Sequence, residues 1–191
     1  MKITVERFDS FNLPRIAQLI QRSNQFNLTT IRYTELECER IMKDSENHYP
    51  FYIKLRDKYG DYGLISVVIL NILESRLEID EWIMSCRVLS RGVEQYAMNH
   101  VFDFARRMNL KSVTGRFIPT AKNALVRDFY RSFGFNLAEE HADGSSTWTK
   151  ADADYEDLPV FIELEKDSDE PRRDQKSAAG SVRQNISQSE D

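Results

Sequence analysis

The sequence lacks any apolar run near the ~18 residues needed to cross a bilayer, and it contains only two cysteines, Cys38 and Cys86. Two cysteines argue against a disulfide framework and favour a reducing compartment. The first ten residues include Glu6 and Asp9 and show no apolar signal core. We therefore expect a cytoplasmic protein with no membrane partner.

Metal-ligand spacing and a nucleic-acid-binding surface are also absent. His48, His100 and His141 stand singly, with no Cys/His spacing typical of zinc sites, so no metal is expected. No basic stripe is interleaved with aromatic residues, which argues against nucleic acid as a partner. The net charge of −5 is concentrated near the C-terminal end, and the remainder is slightly basic. A slightly basic body is compatible with an anionic ligand.

The composition changes at Glu165. Residues 165–191 contain no aromatic residue, and Val182 and Ile186 are their only sizeable aliphatic side chains. Such a segment cannot bury enough apolar surface to offset the entropy of ordering it. We predict one domain over residues 1–164 and a disordered acidic and polar tail over residues 165–191.

Within residues 1–164 the hydrophobic period alternates between that of strands and that of helices. Strands are predicted at 3–8, 49–55, 62–73, 77–85, 111–118, 135–138, 147–150 and 160–164. Helices are predicted after Pro14, after Thr34, from Val93 to Met108 and from Thr120 to Phe133, with Gly134 as a stop. Close turns between the three strands in the middle indicate an antiparallel meander. The sequence predicts a mixed-sheet α/β domain rather than a doubly wound nucleotide-binding fold.

The segment Met84–Val93 is the most informative for function, because it joins a strand to a strongly amphipathic helix. Backbone N–H groups at such a junction, together with the helix dipole, form a ready phosphate site. Gly92 lets the backbone approach an anion closely, and Arg87 and Arg91 add positive charge. The alternative is a plain strand–helix turn with two surface arginines.

Two motifs resemble the GNAT superfamily of acyltransferases. Arg87 and Gly92 match the first and last positions of its acyl-CoA motif, [Q/R]-x-x-G-x-[G/A], although Ser90 replaces the middle glycine. The segment from Asn123 through Tyr130 to Phe135 is similar to the family's second signature. This resemblance implies a mixed, mostly antiparallel central sheet flanked by about four helices. It also implies that Arg87, Val88, Leu89, Ser90, Arg91, Gly92, Val93 and Asn123 bind coenzyme A or a phosphopantetheine thioester.

Longer strings resemble the C-terminal half of FkbH-like proteins, which prepare glyceryl and related acyl units on acyl carrier proteins for polyketide biosynthesis. These strings are residues 21–30, 78–89 and 119–123. The resemblance implies an acyl carrier protein or a CoA-linked substrate as partner. FkbH-like proteins normally carry a HAD-type phosphatase-like domain with a D-x-D-x-T motif, and Asp152-Ala153-Asp154 does not fit it because Glu156 replaces the threonine. A separate HAD-type chain is therefore an expected partner.

Cys86 and Tyr130 are the candidate catalytic residues. Cys86 ends a strand beside Arg87 and close to a helix N-terminus, which favours a thiolate; the FkbH-like resemblance implies that this thiol carries the acyl group. The alternative is a small buried hydrophobe in the sheet. Tyr130 matches the tyrosine with which GNAT enzymes protonate a departing thiolate, or it packs on the sheet. Asn123 either binds the cofactor or caps the local backbone.

Candidate substrate-binding residues are Asn24, Gln25, Asn27 and Asp80. In GNAT-like folds the loop after the first helix lines the acceptor pocket. The amide side chains of this loop are therefore expected to hydrogen-bond to a polar acyl group. Strand alternation places Asp80 on the face of Trp82, Met84 and Cys86, and Glu81 on the other face. Solvated charge at a strand edge is the alternative for Glu78, Asp80 and Glu81, and a helix cap is the alternative for Thr29.

These observations predict an FkbH-like acyltransferase of GNAT fold that moves a small polar acyl group between a thioester and a phosphopantetheine thiol. Two alternatives remain open. One is a stand-alone N-acetyltransferase that uses acetyl-CoA, and the other is a degenerate domain that only docks a carrier protein.

Overall fold

The computed structural model describes residues 1–164, so the predicted tail lies outside the described residues. The described part contains eight strands: β1 (Lys2–Arg7), β2 (His48–Asp57), β3 (Gly60–Ile72), β4 (Arg76–Met84), β5 (Ser112–Phe117), β6 (Asn136–Glu140), β7 (Ser146–Ala151) and β8 (Glu163–Leu164). It also contains four α-helices: α1 (Leu13–Arg22), α2 (Glu35–Lys43), α3 (Val93–Arg107) and α4 (Phe129–Ser132). Single 3₁₀ turns are formed by Cys86–Val88, Ala124–Val126 and Asp152–Asp154.

The strands form one sheet in the order β6-β7-β5-β4-β3-β2-β1-β8. Only the β4–β5 and β1–β8 pairs are parallel, and the other neighbours are antiparallel. One apolar core joins α1 and α2 to the sheet, and a larger one joins α3 and α4 to its other face. The predicted α/β architecture, a mostly antiparallel sheet with four helices, is confirmed.

Local sequence explains where the first three helices begin. Pro14 lies in the first turn of α1. Thr34 caps α2, and Glu37 completes a capping box. Gly92, at φ 86°, precedes α3 in a left-handed conformation that glycine adopts without strain. These starts fix the two segments that surround the candidate site, residues 23–34 and 85–92.

A β-bulge at Asp80 changes which side chains of β4 face each core. On β3, Leu70 pairs with Ile79 while Ile69 pairs with Glu81, so Asp80 is an extra residue in β4. Ile79 and Trp82 therefore belong to the same core although they are three residues apart. Strict alternation is wrong here: Asp80 and Glu81 are placed towards the α1–α2 face, and Trp82 and Met84 towards the α3–α4 face.

The predicted helix from Thr120 to Phe133 is wrong in its first part. Only the 3₁₀ turn Ala124–Val126 and the four-residue α4 form there. The Thr120 hydroxyl accepts the N–H groups of Lys122 and Asn123, and the Asn123 side chain accepts the N–H of Thr120. Such local side-chain bonds compete with helical backbone bonds. The last strand is also shorter than predicted, since β8 contains only Glu163 and Leu164.

Candidate functional site

The site begins where two parallel strands separate. β4 and β5 pair only over Arg76–Ile79 and Ser112–Gly115. Beyond that point the gap is filled by the chain that follows α1: Leu28 N–H donates to the Trp82 carbonyl (3.3 Å), and Met84 N–H donates to the Phe26 carbonyl (3.2 Å). On the other side Ile118 N–H donates to the Leu28 carbonyl (2.8 Å). Residues 26–28 thus lie as a short inserted strand between β4 and the end of β5.

A set of polar side chains, here called the carboxyl network, fastens this segment to the bulge of β4; three of its members are buried and Tyr33 is half-buried. It consists of Thr29, Tyr33, Asp80 and Glu81. Thr29 Oγ1 lies 2.9 Å from both the Asp80 carbonyl oxygen and Glu81 Oε2. The Tyr33 hydroxyl donates to Asp80 Oδ2 at 2.5 Å. Because these bonds join residues about fifty positions apart, they hold the loop after α1 against the sheet.

Thr29 can donate its one hydrogen to only one of its two acceptors, and burial favours the protonated form of Glu81. A threonine hydroxyl has one hydrogen, and the Asp80 carbonyl can only accept. If that hydrogen goes to the carbonyl, the contact with Glu81 Oε2 requires the carboxyl to donate. Burial raises the pKa of Glu81 to about 8, and Asp80 adds to this rise, although the Thr29 bond and Arg32 oppose it. Glu81 Oε1 has no hydrogen-bond partner among the described residues.

Glu81 and Asp80 are therefore not solvated edge charges. Glu81 is fully buried and Asp80 is 7% exposed. The sequence did contain a signal for this, because both acids lie within an apolar strand, Ile79 to Met84. Thr29 is buried as well, and it does not cap a helix.

Cys86 lines a cavity of about 640 Å³ that we call the thiol cleft. Its walls come from the end of α1 and the loop after it, from the end of β4, and from the loop after β5. The lining residues are Leu19, Arg22, Ser23, Asn24, Gln25, Phe26, Met84, Ser85, Cys86, Ala121 and Lys122. Cys86 is exposed, which excludes its interpretation as a buried core residue, whereas Cys38 is buried. Asn24 and Gln25, both predicted from sequence, lie at the same cavity.

A second cavity of about 560 Å³ lies on the α3–α4 side. It is lined by Ser90, Glu94 and Gln95 from the start of α3, by Phe129 and Phe133 from the α4 region, and by Phe26. Phe26 therefore borders both cavities. Its ring packs edge-on against Phe129 at 5.3 Å between centroids. This buried ring separates the thiol cleft from the second cavity, a role that its sequence position did not reveal.

The predicted phosphate cradle, Arg87–Val93, is only partly open. Val88 N–H donates to the Ser85 carbonyl (3.1 Å), and Ser90 N–H donates to Glu94 Oε1 (2.9 Å). The side chains of Val88 and Val93 are buried in the core. The N–H groups of the first turn of α3 have no partner within the helix. These groups, rather than the whole loop, are the available donors for a phosphate.

The two arginines of the cradle differ in their contacts. Arg91 Nη1 lies 3.3 Å from Asp57 Oδ2, and its guanidinium lies 5.4 Å from the centre of the Tyr62 ring. Arg87 is exposed, and its Nε donates to Ser85 Oγ at 3.4 Å, a long bond. Arg91 is thus held towards β2 and β3, and Arg87 is the more available of the two cations. Leu89 is half-buried and lines the second cavity.

Asn27 and Asn123 do not line either cavity. For Asn123 this fits the alternative of a local backbone role, whereas for Asn27 it does not fit the predicted substrate contact. Both side chains are fully buried. Asn123 Nδ2 donates to the carbonyls of Asn27 and Ile118, each at 2.9 Å. Asn27 Oδ1 accepts the N–H of Thr30, whose φ is 61°. The two amides hold the inserted segment and the loop after β5 together, so they shape the cleft without lining it.

Tyr130 lies beneath the sheet surface rather than in the thiol cleft. A Cβ added to Gly115, the last β5 residue paired with β4, would lie 2.3 Å from the Tyr130 hydroxyl. That hydroxyl is buried and has no hydrogen-bond partner among the described residues. Burial, followed by the charge of Glu81, raises the pKa of the phenol well above its usual value. Tyr130 therefore keeps its proton at the point where β4 and β5 separate.

The described residues contain no helix long and apolar enough to cross a membrane. They also contain no group of three or more His, Cys, Asp or Glu side chains placed to hold a metal ion.

No protein-family model and no curated protein matches the sequence. Solved structures do match it. The ribosomal-protein-S18-alanine N-acetyltransferase of Escherichia coli superposes with a TM-score of 0.60 at 14% identity, over 83% of this chain and 99% of that one. The PaiA N-acetyltransferase of Thermoplasma acidophilum, solved with coenzyme A, gives 0.63 at 11% identity, over 79% and 99%.

Spermidine N-acetyltransferase of Vibrio cholerae, in complex with CoA and spermine, gives a TM-score of 0.59 at 15% identity, over 79% of this chain and 96% of that one. Nearly the whole of each solved chain is covered, while the identities are too low to show more than architecture. The likeness extends over most of residues 1–164, the part that carries the carboxyl network and both cavities. The chain has the GNAT fold.

Proposed function

We propose that the protein is an acyltransferase that moves a small polar acyl group, glyceryl or similar, between a thioester and a phosphopantetheine thiol of CoA or an acyl carrier protein. The observation that supports this best is Cys86. It is the exposed cysteine of the described residues, and it lies in a cleft of mixed polar and apolar lining at the end of β4, within a string that resembles FkbH-like proteins.

The proposed reaction has two steps that balance without an oxidant or a metal. The Cys86 thiolate attacks the carbonyl carbon of the donor thioester; a new C–S bond forms, and the donor thiol leaves and takes up a proton. The acceptor thiol, as thiolate, then attacks the Cys86 thioester and releases Cys86. An acyl unit held on Cys86 would lie among the side chains of Asn24 and Gln25.

The N-terminal turn of α3 is the part of the molecule that fits a phosphate group best. Its N–H groups and Arg87 supply donors, and the second cavity, which begins at Ser90 and runs along α4, fits an extended arm. Glu94 opposes this assignment in part, because its carboxylate already accepts the N–H of Ser90. Since Phe26 separates the second cavity from Cys86, we expect its ring to move when a thioester binds.

Tyr130 is the proposed proton donor if transfer is direct. Its phenol remains protonated and has no partner among the described residues, so a hydrogen bond to a departing thiolate would satisfy a buried polar group. This alternative requires the thioester to enter beside Gly115.

Intact-mass measurements with thioester donors separate the two routes. With a glyceryl or similar thioester, the wild-type protein should gain one acyl mass that hydroxylamine removes. Cys86→Ala should lose both the adduct and the transfer to carrier protein, and Cys38→Ala should behave like wild type because Cys38 is buried. Transfer by Cys86→Ala at the wild-type rate would exclude the covalent route and favour direct transfer assisted by Tyr130.

A matched pair of variants at Gly92 tests the phosphate site. Gly92→Asn and Gly92→Asp both place a side chain at φ 86°, a conformation that Asn and Asp tolerate better than other residues, and they differ in charge. CoA should raise the melting temperature of wild type and of Gly92→Asn by mass action. Gly92→Asp should reduce that rise, because it adds a negative charge beside the N-terminal turn of α3 where a phosphate would bind. An equal rise in melting temperature for wild type and both variants would show that phosphate does not bind at the N-terminal turn of α3.

A stand-alone N-acetyltransferase is the second candidate, favoured by the solved structures of the same fold that are N-acetyltransferases. In that case acetyl-CoA and an amine acceptor should release free CoA without any adduct on Cys86. A carrier-docking domain without catalysis is favoured by Ser90, which replaces the middle glycine of the acyl-CoA motif, and by Glu94, whose carboxylate accepts the Ser90 N–H. It predicts carrier binding with no transfer, and a separate HAD-type chain would then act on the docked carrier.

A further inference from the structure

The thiol cleft carries positive charge on two sides. Arg22, the last residue of α1, and Lys122, in the loop after β5, both line it, and both side chains are exposed. None of the described residues around the cleft is an aspartate or a glutamate. Arg22 would in any case suit the C-terminus of a helix, but Lys122 comes from a different part of the chain and has no such reason to lie there.

Arg32 removes the negative potential that the end of α1 would otherwise present. Its guanidinium donates to the Ile20 carbonyl and, at 2.7 Å, to the Ser23 carbonyl. The C-terminus of a helix normally carries a partial negative charge from such unpaired carbonyl groups. With these oxygens engaged by a cation, the end of α1 no longer repels an anion in the cleft.

The same guanidinium fixes the orientation of Asn24. Arg32 Nη2 donates to Asn24 Oδ1 at 2.7 Å, while Asn24 Nδ2 makes only a long contact of 3.3 Å with the Arg22 carbonyl. The acceptor atom of this amide is therefore used on the protein side. The Asn24 amide, Arg22 and Lys122 offer donors to a ligand in the cleft, and Ser23 and Gln25 can either donate or accept.

We infer that the thiol cleft is an anion-binding pocket, which takes an acyl group or small acid bearing a carboxylate or phosphate next to Cys86. This inference goes beyond the proposed function, because a glyceryl unit carries neither a carboxylate nor a phosphate, and it rests on that function only for the reaction at Cys86. The charge of the cleft is the wrong sign for a polyamine acceptor such as the spermine bound in the Vibrio cholerae structure.

Alkylation of Cys86 by two reagents of nearly equal size tests the charge directly. Iodoacetate is an anion and iodoacetamide is neutral; with either, the thiolate forms a C–S bond and iodide leaves. Cys38 should remain unmodified, since it is buried and its pKa is raised to about 12 by burial. The ratio of the two rates, followed by intact mass, cancels any change in the thiolate fraction of Cys86.

The double variant Arg22→Gln/Lys122→Gln should lower the iodoacetate-to-iodoacetamide ratio about fivefold, the order expected when two solvent-screened charges that line the same cleft are removed. Arg15→Gln/Arg127→Gln is the matched control. It removes the same charge from exposed positions that do not line the cleft, and it should leave the ratio unchanged. An unchanged ratio in the first variant would overturn the inference.

Protection experiments then test binding. Malonate, a dianion, should slow iodoacetamide modification of wild-type Cys86, and inorganic phosphate should do so if a phosphate group is accepted. Malonamide, neutral and of similar size, should not. Protection by malonate should be lost in Arg22→Gln/Lys122→Gln, and protection by malonamide equal to that by malonate would contradict the inference. If malonate protects but no thioester acylates Cys86, the anion pocket stands and the proposed transfer falls.

Discussion

The carboxyl network and the thiol cleft are built by one stretch of chain, residues 22–33, and by the two ends of the bulged part of β4, yet they differ in every physical respect. The network is mostly buried, acidic and internally bonded. The cleft is open and basic, and it exposes a thiol. The comparison shows that Thr29 and Tyr33 hold the loop in place, and that Asn24 and Gln25 of the same loop line the cleft. Stability should therefore depend on the network, and chemistry on the cleft.

The largest expected effect concerns Glu81 and pH. Its pKa is about 8 in the folded protein against 4.5 for the free group, so the folded state keeps a proton that the unfolded chain releases. The stability that this proton contributes is complete below pH 4.5 and is lost as pH rises towards 8. Across that window the free energy of unfolding should fall by about 1 kcal/mol per pH unit.

Glu81→Gln is the matched variant, because it keeps a neutral group of the same shape. Urea unfolding measured from pH 5 to 8 should show a flatter profile for this variant, and greater stability than wild type at pH 8. The charged and titratable neighbours of Glu81 are the same in both proteins: Asp80, Arg32, Tyr33 and Tyr130. Half-buried His100 is also the same in both, and its lowered pKa changes stability in the opposite direction near pH 4–6.5. Parallel profiles for the two proteins would show that Glu81 is ionised in the fold.

The next effect compares Thr29 with a residue of the cleft. Thr29→Val removes the hydroxyl that serves the Asp80 carbonyl and Glu81, and leaves two buried polar groups without that partner. Unfolding should become about 2–3 kcal/mol easier. Gln25→Ala, at an exposed position of the cleft, should change the unfolding free energy by less than about 0.5 kcal/mol. Equal effects from the two variants would remove the distinction between the network and the cleft.

Most of the fold follows from periodicity, and its departures have local causes. The strands and the first three helices are predicted because their apolar residues repeat at strand or helix spacing. The bulge at Asp80 leaves no trace in that pattern, so the face of Asp80 was assigned wrongly, whereas Glu81 does lie on the face opposite to Trp82. The helix expected from Thr120 fails because the side chains of Thr120 and Asn123 take the backbone bonds.

The candidate site is predictable to a smaller extent. Asn24, Gln25 and Cys86 were chosen for their chemistry, and the structure places them around one cavity. Asn27 and Asn123 were chosen on the same grounds but are turned inward. An amide that binds a ligand and one that ties two loops look alike in sequence, because the partners are backbone carbonyls distant along the chain. The insertion of residues 26–28 beside β4 has no sequence signal for the same reason.

The smallest effect uses one substitution at two places. Cys38→Ser buries a hydroxyl among apolar neighbours of α2 and should destabilise the fold by about 1–2 kcal/mol. Cys86→Ser is the same change at an exposed position, where about 0.5 kcal/mol or less is expected. Under the proposed function, the variant that loses less stability should lose the acylation. Cys38→Ser should still gain the hydroxylamine-labile acyl mass, and Cys86→Ser should not. Chemical denaturation measures the loss of stability in each variant, and intact mass measures the acyl adduct on the same two preparations. A Cys86→Ser protein that is as destabilised as Cys38→Ser would mean that the thiol belongs to the packing of the fold, and the loss of its adduct would then say nothing about catalysis.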